Sequence, residues 1–500
     1  MEGQWAGAEG DWQIAARRST LDLLAHAFEP DLGKPKLTDV FTSAHWPVRP
    51  GWLASVGLLS ALDETAVAET DGSESSQTDA HRLQGWLGLD GRIGAISLQT
   101  RIAFNSSDTN RIGQISDEDG AKGTLLDQRS VKSVLLLQDA LLPLGDAVLR
   151  FGWQAGRSDV AYDYRKAVTF TEKATTLYGV PEEQNFVIDA DTAADEQAAY
   201  IAAQWSPAAQ LTADVGLRGE RRKYDSGQQA ARLDPRLSLL YRSARRMAWR
   251  LSWGTFTQLA SAAELPVDRE LSRFDRPERS SLWVLGWDYA FGPQQTLRLE
   301  LYDRRTRHPW PHLESLIDPL VLVPELRPDQ VLVAPRDGHS WGADLYWSGW
   351  LSDRWRGWMS YSYSHAVDAF DSGHVSRSWD QRHAFVAALT TDRLGWGWTA
   401  MLTAHSGWPT TPITVIDDEL VLGRRNAARL GGYVTLDLKA QREVRMQRGT
   451  LRLTAELTNA TDRRNPCCSS FEFGGDGEPP VIDQHQWLPL LPLLSMSWQF

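Results

Sequence analysis

The sequence predicts an all-β protein that forms a large transmembrane antiparallel up-and-down β-barrel, and three observations support this fold class. The last strand has one apolar and one polar face. Apolar residues recur at every second position in many other segments. Short connections alternate with long ones along the chain. Together they indicate tight turns at the periplasmic end, long loops at the extracellular end and a membrane-facing wall between them.

The C-terminal strand gives the orientation of the wall. Side chains alternate along an extended strand, so residues two apart share a face. One face carries Leu494, Met496, Trp498 and Phe500. The other face carries Ser495, Ser497 and Gln499. This strand needs apolar surroundings outside and polar surroundings inside, which is the reverse of a soluble barrel.

Five internal segments show the same period of two rather than the helical 3.6. They cover residues 95–104, 211–218, 247–254, 296–303 and 451–458. Short connections are expected at 141–146, 206–210, 291–295, 391–395 and 445–449. Long loops are expected at 105–129, 155–197, 255–280, 304–339, 406–431 and 459–487. This rhythm gives about 20 strands, beginning at residues 12–18. An expected total of 22 would place two strands before Met1, and a closed 20-strand barrel is the alternative.

Composition narrows the class of protein. The net charge of −12 argues against a nucleic-acid partner. Mean hydropathy is −0.38, and no run of 18 apolar residues is present, which excludes a helical membrane protein. Residues 1–19 contain no apolar signal-peptide core, so the chain is expected to be mature-like or a fragment. The 23 tryptophans include ten in or at the ends of strands, where a membrane interface favours them.

The two cysteines, Cys467 and Cys468, are adjacent, and their spacing does not suggest a zinc site. They are interpreted either as two loop thiols or as a vicinal disulfide. We expect no cofactor, no metal site and no catalytic residue.

Two motifs and the chain's end resemble a known family. Residues 377–383 read RSWDQRH, and residues 405–412 read HSGWPTTP. Residues 453–468 contain an N-x-x-D-x-x-N pattern that begins at Asn459. With the final strand ending on Phe500, these segments resemble the barrel of TonB-dependent outer-membrane receptors, over residues 12–500. The motif residues are Trp379, Asp380, Gln381, Arg382, His383, Ser406, Gly407, Trp408, Pro409, Asn459 and Phe500.

This resemblance implies a function and a set of partners. The complete protein would be a receptor in the outer membrane of a Gram-negative bacterium, taking up a siderophore–iron complex, cobalamin or a glycan with energy from TonB. Residues 1–500 would form the barrel domain, and the plug and signal peptide would be absent from this chain. Expected partners are outer-membrane lipid, lipopolysaccharide, the barrel assembly machinery through the C-terminal strand, TonB only through the missing plug segment, and an unidentified small molecule.

The polar candidates are expected to be structural. Asp380, Arg382 and His383 could be taken for an active site, but their position predicts hydrogen bonds that fix the wall's register. Ser406 lacks the G-x-S-x-G context of a nucleophile. Charged residues expected to face the lumen are Arg101, Arg150, Asp214, Arg218, Arg250, Arg298, Glu300, Arg452 and Glu456. They would form either a solvated wall or a path for an anionic ligand. A passive channel without a plug and a soluble all-β carbohydrate-active protein are the alternative functions.

Overall fold

The structure is a computed structural model. It describes residues 2–4, 10–19, 33–69, 71–117, 120–243, 246–292, 294–318, 320–417, 419–472 and 480–499. Phe500, which the sequence assigns to the family motif, lies outside the described residues.

Thirty strands are found in the described part of the chain. The first ten are β1 (Glu2–Gln4), β2 (Asp11–Arg18), β3 (Lys36–Arg49), β4 (Trp52–Ala68), β5 (Glu74–Ile93), β6 (Ile96–Ser116), β7 (Ala121–Leu144), β8 (Ala147–Phe170), β9 (Glu183–Ala208) and β10 (Leu211–Tyr224). The next ten are β11 (Gln229–Ser243), β12 (Met247–Gln258), β13 (Glu278–Ala290), β14 (Thr296–Arg307), β15 (His312–Ser315), β16 (Gln330–Val333), β17 (Asp337–Trp350), β18 (Trp355–Phe370), β19 (Gly373–Ser376) and β20 (His383–Arg393). The last ten are β21 (Trp396–His405), β22 (Pro409–Thr410), β23 (Ile413–Ile416), β24 (Glu419–Leu422), β25 (Ala428–Arg429), β26 (Tyr433–Arg445), β27 (Thr450–Thr458), β28 (Pro466–Glu472), β29 (Val481–Gln486) and β30 (Leu491–Gln499).

In the part of the chain that the structure describes, helical structure is confined to one short α-helix and three 3₁₀ turns. One α-helix, α1 (Glu172–Tyr178), begins after its N-cap Thr171. Three 3₁₀ turns cover Ala262–Glu264, Val267–Arg269 and Pro324–Leu326. None of the helices in the described ranges is long and apolar enough to cross a membrane.

The wall is one antiparallel sheet of 22 strands, in which each strand pairs with the next wall strand along the chain, except that the short β19 and the following β20 both pair with β18. The sheet passes from β14 to β17, from β21 to β26 and from β27 to β30, while the intervening short strands form separate loop hairpins. Without the three-residue β1 and the four-residue β19, twenty strands remain. The predicted up-and-down order and strand number are therefore confirmed.

Connections alternate in length around the wall. At one end, which we call the short-turn end, β5 and β6 are joined by residues 94–95, and β7 and β8 by residues 145–146. Gly94 and Gly145 each have a φ of 60°, a conformation that such tight hairpins require and that glycine adopts without strain. At the opposite end, which we call the loop end, connections reach 259–277, 308–336, 406–432 and 459–490.

The lower wall has the predicted facing. Leu251, Leu285 and Leu301 lie opposite one another on neighbouring strands, and each is about two-fifths exposed on the outer surface. The adjacent Arg250 points into the lumen, where it forms ion pairs with Asp288 and Glu300. An apolar exterior and a polar interior are the arrangement of a membrane barrel.

The predicted loops 105–129 and 155–197 are wrong, because strands occupy most of both segments. β6 to β9 contain 21 to 26 residues each, leaving only residues 117–120 and 171–182 as connections. Polar and apolar residues alternate along the whole of β8, but the apolar residues lie on the outer face in its lower half and on the inner face in its upper half. Phe151 and Trp153 are exposed on the outer face in the lower half, whereas Val160, Tyr162 and Tyr164 are buried on the inner face in the upper half. We call this raised part of the wall, residues 105–133, 157–197 and 219–224, the wing.

Candidate functional site

A long loop crosses the loop end of the barrel. We call residues 308–336, which connect β14 to β17, the lid. The β15–β16 hairpin lies at the base of the lid, where the Glu314 carboxylate contacts Ser378 and Arg425 of two other loops. The tip holds the 3₁₀ turn Pro324–Leu326, which lies against the wing. The lid therefore joins loops on one side of the barrel to strands β5–β8 on another.

Apolar packing holds the tip of the lid on the wing. Val323 and Leu326 are fully buried in a core that also contains Leu125, Val160 and Tyr164. Val323 lies so close to Gly113 that a Cβ added there would be 2.6 Å from a Val323 methyl group. A larger residue at position 113 would push the tip away. The absence of a side chain at Gly113 thus permits close packing between the lid and β6.

Two ion pairs anchor the same tip. The Glu74 carboxylate has no exposed surface, accepts a hydrogen bond from the Val323 N–H and lies 2.6 Å from Nη2 of Arg327. The Arg111 guanidinium pairs with Glu325 and donates to the Leu322 carbonyl oxygen at 3.0 Å. Hydrogen bonds to charged groups are stronger than neutral ones, so these contacts fix the tip in one position.

A second loop, residues 259–277, fills the space beneath the wing. Tyr162 donates its hydroxyl hydrogen to the Ala262 carbonyl oxygen at 2.7 Å. Arg222 donates to the carbonyl oxygens of Leu259 and Ala260, both at 2.8 Å. The Phe274 ring stacks on Tyr224, with 4.1 Å between ring centroids. On the β6–β10 side, the loop end is therefore closed by the chain's own loops.

Asp380 joins three loops on the other side. Its carboxylate is nearly inaccessible and accepts hydrogen bonds from the Ala366 N–H at 2.8 Å, from Arg382 Nε at 2.7 Å and from Arg429. Arg429 also donates to the carbonyl oxygens of Asp380 and Gly407. Burial alone would raise the pKa of Asp380, but the hydrogen bonds from Arg382, Ala366 and Arg429 hold that pKa below its usual value.

The other residues of the two motifs form a network around Asp380. The His383 N–H donates to Ser406 Oγ at 3.2 Å, and the Ser406 N–H donates to the His383 carbonyl oxygen at 2.8 Å. The Gln381 carbonyl oxygen accepts from Ser364 Oγ at 2.6 Å. We call the set of Trp379, Asp380, Gln381, Arg382, His383, Ser406, Gly407, Trp408, Pro409 and Arg429 the motif cluster.

Packing explains the remaining motif positions. A Cβ added to Gly407 would lie 1.7 Å from the Leu430 carbonyl oxygen, so no side chain fits there. Pro409 is buried, and Trp408 meets Trp379 edge to face, with 4.8 Å between ring centroids. Trp379 is 58 % exposed, so one side of this aromatic pair remains open to solvent.

Asn459 organises the loop that precedes the last wall strand. The side chain is buried, and its Nδ2 donates to the carbonyl oxygens of Arg463 at 3.0 Å and Leu488 at 3.3 Å. Asn465, three residues after Asp462 in the same pattern, bonds both the N–H and the carbonyl oxygen of Val434. The motif therefore ties residues 459–490 to β26.

The predicted lumen charges form ion pairs, mostly with charged residues that the sequence did not single out. Arg101 lies 2.7 Å from Asp90, and the Arg150 and Lys439 side chains contact Asp214 and Glu456. These ion pairs favour the interpretation as a solvated wall over that of a continuous path for an anionic ligand. No group of three or more potential metal ligands occurs among the residues that the structure describes.

The sequence did not indicate Glu74, Arg111 or Arg429 as functional residues. Their partners lie 49 to 253 residues away along the chain. No local motif marks such contacts, and Arg111 and Arg429 lie within segments that the sequence predicts as loops, 105–129 and 406–431.

Comparisons with known proteins agree on one family. Residues 21–460 match the family described as "TonB dependent receptor-like, beta-barrel". Among curated proteins, no relative matches the chain. The fold is similar to the ferric yersiniabactin uptake receptor FyuA from Yersinia pestis, with 12% identity, a TM-score of 0.67, and 100% of this chain and 77% of that chain covered.

Two further solved structures share the fold. The siderophore receptor PiuA from Acinetobacter baumannii has 10% identity and a TM-score of 0.66, with 99% of this chain and 78% of that chain covered. The copper transporter OprC has 12% identity and a TM-score of 0.67, with 95% of this chain and 74% of that chain covered. At these identities the likeness concerns the fold.

Proposed function

Because this chain belongs to the TonB-dependent receptor family, we propose that the loop end of its barrel captures a small metal chelate for import. Receptors of this family lie in the outer membrane of Gram-negative bacteria and use energy from TonB, and the chain is a transporter rather than an enzyme. The loop end accordingly faces the exterior, and the short-turn end faces the periplasm.

The observation that carries the proposal is the lid. Val323 and Glu325 are held on the wing, while Glu314 at the base contacts the motif-cluster side. A ligand that enters the lumen must pass beside this loop or displace it. The route that we propose passes beside Trp379, whose exposed ring offers the aromatic surface that suits a compact organic chelate.

The nature of the cargo is inferred from similar folds. The names of structural neighbours refer to siderophore receptors, a ferric citrate transporter and a copper transporter. These names favour a metal chelate over cobalamin or a glycan. The paired charges of the lumen wall agree with a cargo that is recognised by shape and local contacts, since a wall of alternating sign does not select strongly for one charge.

Growth rescue of a deletion strain tests the proposal. The full-length gene is supplied under limitation for iron, copper, cobalamin or a glycan carbon source, with a panel of ferric and cupric chelates added singly. We expect rescue by one metal chelate and none in a strain that lacks TonB. Rescue by cobalamin or a glycan alone would contradict the cargo class. Rescue without TonB would instead favour the passive channel.

We also propose that residues 1–500 are the barrel domain of a receptor that works with a plug. The paired charges at Arg250, Asp288 and Glu300 would supply a hydrated inner surface against which such a domain could slide. The test is a complementation experiment with the barrel alone, and with the barrel joined to a plug encoded upstream. Equal TonB-dependent uptake in both cases would argue against a separate plug.

Lipopolysaccharide is the outer-leaflet partner that we propose. Arg279, Arg305 and Arg307 lie on the outer wall, directly beyond the exposed Trp283 and Trp341. Tryptophans mark the membrane interface, so these guanidinium groups would lie at the level of the lipid phosphates. Changing the three arginines to Gln should reduce copurifying lipopolysaccharide, whereas Arg157→Gln with Arg165→Gln on the acidic wing should not. Equal amounts in all three proteins would oppose this assignment.

The last wall strand is proposed to present the assembly signal. Leu494, Met496 and Trp498 are largely exposed on the outer face of β30, where the barrel assembly machinery could read them. Changing Leu494 and Met496 to Ser should slow membrane insertion in an assay with purified assembly machinery. Unchanged insertion kinetics would exclude this role.

A further inference from the structure

The two cysteines form one chemical unit because of an irregularity in β28. The pairing of β28 with β29 shifts register between Pro466 and Cys468. In a regular strand, adjacent side chains point to opposite faces. The bulge instead brings the two sulfurs to the same side, 2.8 Å apart, with both residues buried. We propose that Cys467 and Cys468 form a vicinal disulfide in the mature receptor.

The two cysteines lie between the lid and the motif cluster. Cys467 and Cys468 line a small cavity together with Ile317 of the lid, Trp408 of the motif cluster and the neighbouring Ser378. Two reduced thiols here would lie beside the proposed path of a metal chelate. Thiolates bind soft transition-metal ions strongly, so a dithiol would compete for cargo, whereas a disulfide would not.

The periplasm favours the oxidation of the two thiols to a disulfide. An outer-membrane protein crosses the periplasm, where disulfides form and persist. A protein disulfide donor of that compartment is the oxidant that we propose. Its reaction precedes docking of residues 459–490, because both cysteines are buried afterwards and a protein donor could not reach them.

The reaction balances as a thiol–disulfide exchange. The Cys467 thiolate attacks one sulfur of the donor disulfide, which breaks the donor S–S bond and releases one donor thiolate. The Cys468 thiolate then attacks the Cys467 sulfur of the mixed disulfide and displaces the second donor thiolate. The receptor loses two electrons and two protons, and the donor becomes a dithiol. Hydrogen bonding from Cys468 lowers the pKa of Cys467, which favours Cys467 as the first nucleophile.

The geometry also predicts a reactive bond. Adjacent Cα atoms lie about 3.8 Å apart, closer than the usual 4.4–6.8 Å of disulfides. Strained disulfides are more easily reduced. In the unfolded receptor, the bond should therefore open at a lower concentration of reductant than an ordinary disulfide. In the folded receptor, burial should protect it.

Thiol labelling tests the proposal on the full receptor isolated from outer membranes. The protein is acid-quenched, unfolded in denaturant with a chelator present, and treated with a maleimide before or after reduction. We expect no label without reductant, two labels after reduction, and a peptide beginning at Asn465 that is lighter than the reduced form by two hydrogen atoms. Two labels without reductant would overturn the proposal. Release of a bound metal with both thiols then free would overturn it in favour of a metal site.

A single-cysteine variant supplies the control. Cys467→Ser should leave one thiol that reacts with maleimide in both conditions, and its heat-modifiable mobility on a gel reports whether the barrel has folded. Reductant-sensitive dimers of the wild-type receptor would show that the cysteines pair between chains and would contradict the intramolecular bond. The wild-type measurement alone decides the question if the variant does not fold.

Discussion

Replacing Glu74 by Gln should release the tip of the lid while leaving the wall intact. Glu74→Gln keeps an oxygen that accepts from the Val323 N–H but removes the charge that pairs with Arg327. Breaking a buried ion pair by neutralising one partner costs about 3–5 kcal/mol. Arg327 keeps partial solvent contact and lies 3.9 Å from Asp117, so the lower end of this range applies. A loss of about 3 kcal/mol corresponds to roughly a 100-fold rise in the open population of the lid.

Hydrogen exchange in the detergent-solubilised receptor measures this change. Amides of residues 322–327 should exchange about 100-fold faster in Glu74→Gln, while those of β6 and β7 should be unchanged. The matched control is Glu64→Gln, which removes a partly exposed ion pair with Lys36 on the neighbouring strand and should alter stability by less than about 1 kcal/mol. Equal exchange of the tip in the wild-type and Glu74→Gln proteins would refute the anchoring role.

Three further predictions concern the wall, the motif cluster and the pH response of the lid. Leu453→Arg should destabilise the folded barrel in the membrane by about 2–4 kcal/mol because this side chain faces lipid. Thr454→Arg is the control and should have a mild effect, because Thr454 faces the lumen. Equal midpoints of urea unfolding for the two variants would show that the two side chains are wrongly assigned to the lipid and lumen faces. Gly407→Ala should destabilise the loop of residues 406–432 by about 1–3 kcal/mol, which would lower the melting temperature and increase proteolysis there. Gly219→Ala is the control and should have neither effect, because its new Cβ would be 3.7 Å from its nearest neighbour. Unchanged protection from proteolysis in Gly407→Ala would contradict the packing argument. Burial raises the pKa of Asp329 to about 6, so between about pH 4 and pH 6 the docked lid holds a proton that the open lid releases. The contribution of Asp329 to lid protection should be greatest below about pH 4 and should fall by about 3 kcal/mol as pH rises to 6. The difference in hydrogen exchange between the wild-type protein and Asp329→Asn measures this contribution apart from the two ion pairs, and identical pH profiles of the two proteins would exclude it.

The wall could be predicted because its physical signal is local. A strand in a bilayer must alternate every two residues, so Trp249, Leu251 and Trp253 reveal both the strand and its outward face within eight positions. The same signal misled the prediction on the wing. There the outer surface meets water and the inner surface meets loops, so Val160 and Tyr162 turn inward. A prediction that requires the apolar residues of a strand to stay on one face therefore ends the strand where they change face.

The site was only partly accessible from the sequence. The sequence predicted a structural role in hydrogen bonding for Asp380 and Arg382, which lie two residues apart and contact each other. Arg429 reaches the same carboxylate from 49 residues away, through a loop whose course depends on the absence of a side chain at Gly407. The anchor formed by Glu74 and Arg327 joins β5 to the lid, two parts of the chain that lie 253 residues apart, so only the three-dimensional fold brings them together.

The wing makes the rim of the receptor uneven. The 14 residues of β8 from Arg157 to Phe170 rise beyond the polarity reversal, which corresponds to roughly 45 Å along the strand, or about 30 Å in height at the usual tilt. β21 contains only 10 residues, about the length that a tilted strand needs to cross a bilayer. One flank would thus stand among the surface sugar chains while the other stays low, so bacteriophages and antibodies would meet the tall flank first, and small solutes would approach from the low one.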